Sequence, residues 1–274
     1  MKSTMFLGGG RITGALLAGL RLAKNKTPIL VHDRNEHKLR ALEREYGVAV
    51  ETNLGRAIAR ADRLIVAVRP DSVSEVLKQV REWRVSNADK RNRAVPVLAC
   101  SLAAGVPLWQ LRAELGRPVL WCRAMPSPAA RSGRGLTALT FDRGFPKAWR
   151  GRMMKFFGQV GPVLEIPERK FDAFMVTFSP SHGYHALATM AQAAQNLGLE
   201  RQAAFTAAAH ALADAIASWR EGDESLEELL REAATPGGIA AAVMKTMDSA
   251  GYSRMVERAL RAGIKRSERI AKSS

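Results

Sequence analysis

Met5-Phe6-Leu7-Gly8-Gly9-Gly10-Arg11-Ile12-Thr13-Gly14-Ala15 joins an apolar run to three consecutive glycines and then to a helical repeat. The run from Thr4 to Leu7 predicts a strand, and Ile12, Ala15, Leu16, Gly19 and Leu20 recur at helical spacing. Strand, glycine turn and helix in this order suit a dinucleotide. Glycine lets the chain bend and lets its backbone approach a pyrophosphate, whose charge then faces a helix N-terminus. Gly8 and Gly10 fit the first two glycines of G-x-G-x-x-G, whereas the third position holds Thr13, with Gly14 one place late. Such a turn also occurs without a nucleotide, so its meaning depends on the chain around it.

Beyond the first helix the chain alternates strand and helix. Pro28–Val31 predicts a second strand, with His32, Asp33 and Arg34 at its end. Asp33 stands about 20 residues beyond the glycine turn, where an acid bonds an adenosine ribose. Arg34 suits a 2′-phosphate instead. The two argue opposite ways on NAD versus NADP, and both also fit a solvated turn before a helix over Asn35–Tyr46. Gly47–Val50 predicts a third strand, and Asn53 caps a helix over Leu54–Ala59. The continuous apolar run Leu64–Val68 suits a central parallel strand. It ends at Arg69-Pro70-Asp71, where a helix begins. Val95–Ser101 and Val119–Met125 give a fifth and a sixth strand, and polar, basic residues 83–94 read as a surface loop. The whole is the pattern of a doubly wound parallel sheet, an α/β fold of Rossmann type. Small and polar residues collect at the strand ends, in Gly8–Gly10, Arg69-Pro70, Ala103–Gly105 and Met125–Pro128, where open α/β sheets bind their ligands.

Leu136–Phe141 and Val163–Ile166 read as edge strands flanking a helix over Phe145–Phe157. Past Pro167 the composition turns to Ala, Met, Leu, Glu and Arg. Helices are expected over 168–178, 181–197, 200–221, 225–233, 237–249 and 252–271, with Gly198, Gly222 and Gly251 as stops. This places an NAD(P)-binding domain over 1–166 and an all-α domain over 167–274, with the basic end Lys265–Ser274 frayed. The face made by Phe205, Ala208, Leu212, Ala215, Ile216 and Trp219 is broad enough to pack on a partner subunit.

Composition narrows the classes. At roughly 100–200 residues per domain, 274 residues predict one or two domains, and 47% hydrophobic residues suffice for a packed core. A net charge of +16 admits nucleic acid, a membrane surface or anionic small molecules as partners. Its Lys and Arg residues are scattered among Asp and Glu, without an aromatic-studded patch or a nucleic-acid module, so the charge reads as a solvated surface. Cys100 and Cys122 lie in strand-like runs and read as free, buried thiols of a reducing cytosol. The glycine turn interrupts the N-terminal apolar run, which excludes a signal peptide, and no apolar span is long enough to cross a bilayer. A cytoplasmic protein without membrane or nucleic-acid partners is expected.

Four strings bring a family into view: Phe6-Leu7-Gly8-Gly9-Gly10-Arg11-Ile12; Ala67-Val68-Arg69-Pro70; Ser101-Leu102-Ala103-Ala104-Gly105-Val106; and Arg123-Ala124-Met125-Pro126-Ser127-Pro128-Ala129. With Thr235-Pro236-Gly237-Gly238 and Lys265-Arg266-Ser267-Glu268, they resemble 1-pyrroline-5-carboxylate reductase over nearly the full length. The RAMP and TPGG strings are the most specific. The resemblance implies NADP or NAD in the first domain, with Gly8, Gly10, Arg11 and Ile12 cradling the pyrophosphate and Val68, Arg69 and Pro70 on the ribose side. It implies Ser101, Ala103, Ala104 and Met125 near the nicotinamide, and Ser181, Thr235, Gly237, Gly238, Ile239 and Ala240 near the substrate. The family reaction is hydride transfer to the C=N carbon of a cyclic imine, giving L-proline. Its helical domain forms a homodimer with each active site between two chains, and members commonly assemble into rings of dimers. A protonated imine is already a strong electrophile, so such a site needs few ionisable groups. Gly237-Gly238, opening a helix, suits the substrate carboxylate.

The departures from the family gather on the substrate side. S-G-S-G-P-A-Y at the start of the long helix becomes Phe178-Ser179-Pro180-Ser181-His182-Gly183-Tyr184. The hydroxyl residue after Pro-Gly-Gly is missing, because Ile239 and Ala240 follow. Ser127 replaces an Asn, and Arg11 replaces the Asn of the glycine turn. One alternative is therefore a reductase of a different imine. His182 could serve as its general acid with Tyr184 as the second catalytic candidate, or His182 could be a helix-start histidine bonded to backbone. His182 and His185 could share a metal, but no third ligand is evident and none is expected. β-Hydroxyacid dehydrogenases, which share the plan, use a lysine early in the long helix of the second domain. No lysine lies between Lys170 and Lys245, which favours imine reduction. A non-catalytic protein binding a cofactor or nucleic acid is the alternative from another class.

Overall fold

Ser3–Leu7 forms β1, buried along its whole length, and runs through the glycine turn into α1 (Arg11–Leu22). A computed structural model of the chain describes residues 3–87 and 98–273. Strand and helix alternate through β2 (Ile29–His32), α2 (Glu36–Tyr46), β3 (Ala49–Glu51), α3 (Leu54–Arg60), β4 (Ala61–Val66), α4 (Val73–Ser86), β5 (Leu98–Ser101), α5 (Leu108–Leu115) and β6 (Leu120–Pro126). Then come β7 (Thr137–Phe141), α6 (Lys147–Gly158) and β8 (Val163–Glu165). Asn35 and Asn53 fix the starts of α2 and α3 by accepting from Lys38 N–H and Arg56 N–H. The predicted loop over 83–94 begins as helix, since α4 continues through Ser86 with Trp83 packed against the core. Its remainder from 88, and 95–97 of the predicted fifth strand, lie outside the described residues.

The sheet order is β3-β2-β1-β4-β5-β6-β7-β8. The first six strands pair parallel, β7 is antiparallel to β6, and β8 is parallel to β7. The order reverses between β1 and β4, the switch point at which such sheets bind ligands. Register aligns His32, Leu7, Val66, Ser101 and Arg123 across five strands, so their carboxyl ends share one edge. Alternate residues serve opposite faces. Phe6, Ile65, Cys100 and Cys122 enter one core, while Met5, Leu7, Leu64, Val66 and Trp121 enter the other. Burial on both faces explains why these strands read as unbroken apolar runs. Both cysteines are free and buried.

The helical remainder comprises α7 (Glu168–Thr177), α8 (Ser181–Asn196), α9 (Arg201–Glu221), α10 (Leu226–Ala233), α11 (Ile239–Ser249) and α12 (Tyr252–Ser273). The chain separates into two compact units, one of 1–176 with 263–274 and one of 177–262. The composition boundary at 166 falls earlier than this division because α7 holds to the sheet. Phe171 is buried, and Glu168 and Asp172 pair with Arg123 of β6. Nor is the basic end frayed through 273: α12 runs to Ser273, and Ser267 is buried and donates to Asp172 at 2.8 Å.

Within the second unit α8 packs on α9, and the residues those helices bury are Ala191, Ala204 and Ala208. α10 and α11 bury none of their residues. Ile216, Trp219, Leu226, Leu230, Val243 and Met247 are exposed.

Candidate functional site

A cleft of about 590 Å³ opens at the switch point, with Gly8, Gly10, Asp33, Arg34, Val68 and Arg69 in its wall. Gly8 has φ +114, and a Cβ there would lie 2.6 Å from the Ala67 carbonyl oxygen, so no other residue fits. Its N–H donates to His32 O at 2.8 Å, tying the turn to β2. Gly10 is the N-cap of α1 and has no side-chain cap, and a Cβ built there meets nothing within 4 Å. The first helical bond runs from Gly14 N–H to Gly10 O at 3.0 Å. The N–H groups of Arg11 and Ile12 precede that bond and lack helical partners, which leaves positive dipole ends at an open position. A pyrophosphate fits there.

Thr13 occupies the place of a third glycine. It is fully buried, and its Oγ1 donates to Gly8 O at 2.7 Å, so the side chain closes the turn from below.

Asp33 is a clasp. Its Oδ2 accepts Gly9 N–H and its Oδ1 accepts Asn35 N–H, each at 2.8 Å. The carboxylate that sequence reasoning assigned to a ribose thus also holds the glycine turn to the start of α2. Arg34 and Lys38 are both exposed on the cleft rim. Sequence reasoning did not single out Lys38, which stands three residues after the Asn35 cap of a predicted helix. Arg69 is exposed, with its Nε 3.5 Å from Asp71 Oδ1.

His32 also lines the cleft, with Nδ1 2.9 Å from Glu51 O. A carbonyl only accepts, so Nδ1 carries the hydrogen. Burial holds this imidazole below its ordinary pKa, against the opposing pull of that hydrogen bond.

Arg11, Ile12, Pro70, Ser101, Ala103, Ala104 and Met125 stand outside the cleft lining. Ser101, Ala103, Ala104 and Met125 continue the same sheet edge beyond β4. Ser101 Oγ accepts Ala103 N–H at 3.2 Å, and Leu102 N–H donates to Val66 O at 2.8 Å, so the segment after β5 turns across the end of β4.

The remaining candidates belong to the helical unit. Ser181, His182 and Tyr184 are exposed in the first turn of α8, where Ser181 Oγ lies 2.7 Å from Ser179 Oγ. His185 Nδ1 meets Thr189 Oγ1 at 3.3 Å. Thr235 O accepts Gly238 N–H at 2.9 Å, and Gly237 turns with φ +77. Gly238 then caps α11 without a side chain, and Ile239 is 88% exposed beside exposed Ala240. This is a second open helix N-terminus. Among the described residues no group of three or more His, Cys, Asp or Glu side chains could hold a metal, and no helix is long and apolar enough to cross a membrane.

Comparison with known proteins finds a family for each end of the chain. Residues 168–270 match the family described as pyrroline-5-carboxylate reductase dimerisation, and residues 3–90 match that described as NADP oxidoreductase, coenzyme F420-dependent. A pyrroline-5-carboxylate reductase of Mycobacterium tuberculosis is 30% identical over 292 aligned positions, spanning 98% of this chain and 97% of the relative. One from Corynebacterium melassecola is 29% identical over 278, spanning 99% and 100%. The crystal structure of Plasmodium falciparum pyrroline carboxylate reductase with NADP bound superposes with a TM-score of 0.83, at 17% identity and over 98% of each chain, a likeness of fold.

Proposed function

This chain belongs to the pyrroline-5-carboxylate reductase family, and on that premise we propose that it reduces 1-pyrroline-5-carboxylate to L-proline with NADPH. The observation that carries the reading is the cleft at the β1/β4 switch point, whose turn is open at Gly10 and backed by an uncapped helix. Gly8, Gly10, Arg11 and Ile12 hold the pyrophosphate through backbone N–H groups. Val68, Arg69 and Pro70 line the ribose side. Ser101, Ala103, Ala104 and Met125 border the nicotinamide, which when bound supplies the hydride for the C=N carbon.

NADPH is favoured over NADH by the rim. Arg34 and Lys38 offer two positive charges to a 2′-phosphate, beside an Asp33 whose two oxygens each already accept one backbone N–H. Hydrogen bonds to charged groups contribute about 1.5–3 kcal/mol, roughly tenfold or more in affinity. Arg34→Ala and Lys38→Ala should each weaken NADPH by about that factor and leave NADH nearly unchanged in fluorescence titrations. Equal losses for both nucleotides would show that these residues do not read the phosphate.

The helical unit supplies the substrate side. Backbone N–H groups after Gly237-Gly238, at Ile239 and Ala240, hold the substrate carboxylate, with Ser181 and Thr235 beside it. His182 donates a proton to the imine nitrogen, and Tyr184 helps orient it. The exposed apolar faces of α9 to α12 pair with a second copy to form a homodimer, and dimers assemble into a ring. The enzyme works in the cytoplasm, where its two buried thiols stay reduced.

The test is NADPH oxidation with 1-pyrroline-5-carboxylate beside a panel of other cyclic imines. Turnover is expected with the first. A folded protein that binds NADPH yet reduces only another imine would replace the substrate. That second reading is favoured by Ile239 and Ala240, which bring no hydroxyl to the start of α11.

A further inference from the structure

The functional reading leaves the first residue of the RAMP string without a task. Arg123, on β6, is only 2% exposed. Its two terminal nitrogens meet Glu168 Oε1 and Asp172 Oδ1, both at 3.0 Å, and its guanidinium lies 4.5 Å from the centre of the Phe171 ring. Each carboxylate then reaches further. Glu168 Oε1 also accepts Leu108 N–H at 2.9 Å, at the start of α5. Asp172 Oδ2 accepts Ser267 Oγ at 2.8 Å, near the end of α12. One buried arginine thus gathers β6, α5, α7 and α12.

Two further contacts say what this hub borders. Gly105, just after Ser101–Ala104, has φ +76, and a Cβ there would lie 3.1 Å from Ser267 Oγ and 3.2 Å from Ile270 Cβ. The end of α12 therefore closes on the segment after β5. At Gly263 a Cβ would lie 2.9 Å from Val176 Cγ1. Residues 176 and 263 are where the sheet unit passes into the helical unit and where the chain returns from it. Both passages touch each other, and both lead within three turns of helix to a ligand of the hub, Asp172 or Ser267.

We propose that Arg123 is a positioning residue of the reductase, fixing through Asp172 and Ser267 the two passages of chain that lead to the substrate-bearing helices. This rests on the function proposed above. A cluster built only for stability is a poor account of these residues. Buried ion pairs contribute little net stability over apolar side chains of similar volume, and this one leaves Arg123 Nε and Glu168 Oε2 buried without partners among the described residues. Charge-assisted bonds of fixed geometry instead define one arrangement among several that packing alone would accept. The Arg123 fork does so from the strand that, two residues later, presents Met125.

The test compares wild type with Arg123→Lys, Ser267→Ala and the double variant. Lysine keeps the charge but cannot span both carboxylates, and Ser267→Ala removes one hydrogen bond with little threat to folding. The expected result is an imine KM raised about tenfold in Arg123→Lys and about threefold in Ser267→Ala, non-additive in the double variant. NADPH Kd should stay within threefold, because the hub shares no residue with the cleft around Gly8–Gly10. Hydrogen exchange of residues 168–177 and 263–273 should quicken in both single variants while β1 and β4 stay protected. Wild-type KM in Ser267→Ala, with only a lower Tm, would overturn the proposal, as would unchanged exchange. If wild type reduces no imine at all, the functional reading falls, and the exchange measurement alone decides whether Arg123 anchors the passages.

Discussion

Thr13 explains how a glycine turn works without its third glycine. That glycine ordinarily spares room where helix and strand pack closely. Here a buried hydroxyl uses the room and bonds Gly8 O, so the residue that breaks the pattern reinforces the turn. Thr13→Val keeps the shape and loses the bond. It should cost about 1 kcal/mol of stability by urea unfolding and weaken NADPH several-fold, whereas Thr13→Ser, which keeps the bond and loses only a buried methyl, should leave NADPH affinity unchanged. A Val variant with unchanged affinity would mean that the turn holds its form without this bond. His32 makes a prediction of opposite kind. Burial lowers its folded pKa below 6.5, so between those values the unfolded chain binds the extra proton. Stability therefore falls as pH drops through about 6.5 and the loss levels off only beneath the folded pKa. His32→Gln should flatten that part of a Tm–pH curve and leave the curve above pH 7 alone.

At the scale of elements, α7 joins the sheet unit although its composition is that of the helices after it, and Phe171 is its peg. Truncating a buried Phe to Ala costs about 3–5 kcal/mol, and this ring also lies against the Arg123 guanidinium. Phe171→Ala should lower Tm sharply and open residues 168–177 to proteolysis before the sheet melts; loss of the whole unit at once would show that α7 is not separately anchored. The offset between the composition boundary at 166 and the division at 176 has a physical source. Composition reads local preference, and α7 is as helical as its successors. Its attachment is made by ion pairs to Arg123, 45 and 49 residues distant, which no local pattern reports. The frayed end was misjudged for the same reason, since Ser267 bonds a residue 95 positions away. What was legible was local. Asn35 and Asn53 mark helix starts by their own side chains, and Gly198, Gly222 and Gly251 follow helix ends. The strand runs announced a sheet buried on both faces. The glycine turn was legible as the junction of a strand and a helix, but the clasp formed by Asp33 needed the fold to bring Gly9 to it.

For the whole molecule the question is what covers the helical unit. Ile239, Val243 and Met247 recur every fourth residue along α11 and stay exposed, and Leu226 and Leu230 do the same on α10. A second copy is the occupant that the dimerisation family suggests. Charge then gives the assembly a signature. Two chains of +16 repel at distances that salt screens, with a Debye length of about 10 Å at 0.1 M and 3 Å at 1 M. An association driven by apolar burial against that repulsion tightens as salt rises, whereas binding to nucleic acid weakens steeply. Sedimentation from 0.05 to 1 M salt should show a dimer throughout, with a dissociation constant that falls as salt increases and a Tm that rises with protein concentration. Leu230→Asp with Val243→Asp should shift the protein to monomer and abolish the concentration dependence while NADPH binding in the sheet unit persists. A monomer in wild type at micromolar concentration, or a partner released by salt together with nucleic acid, would assign those apolar faces to something other than a second copy.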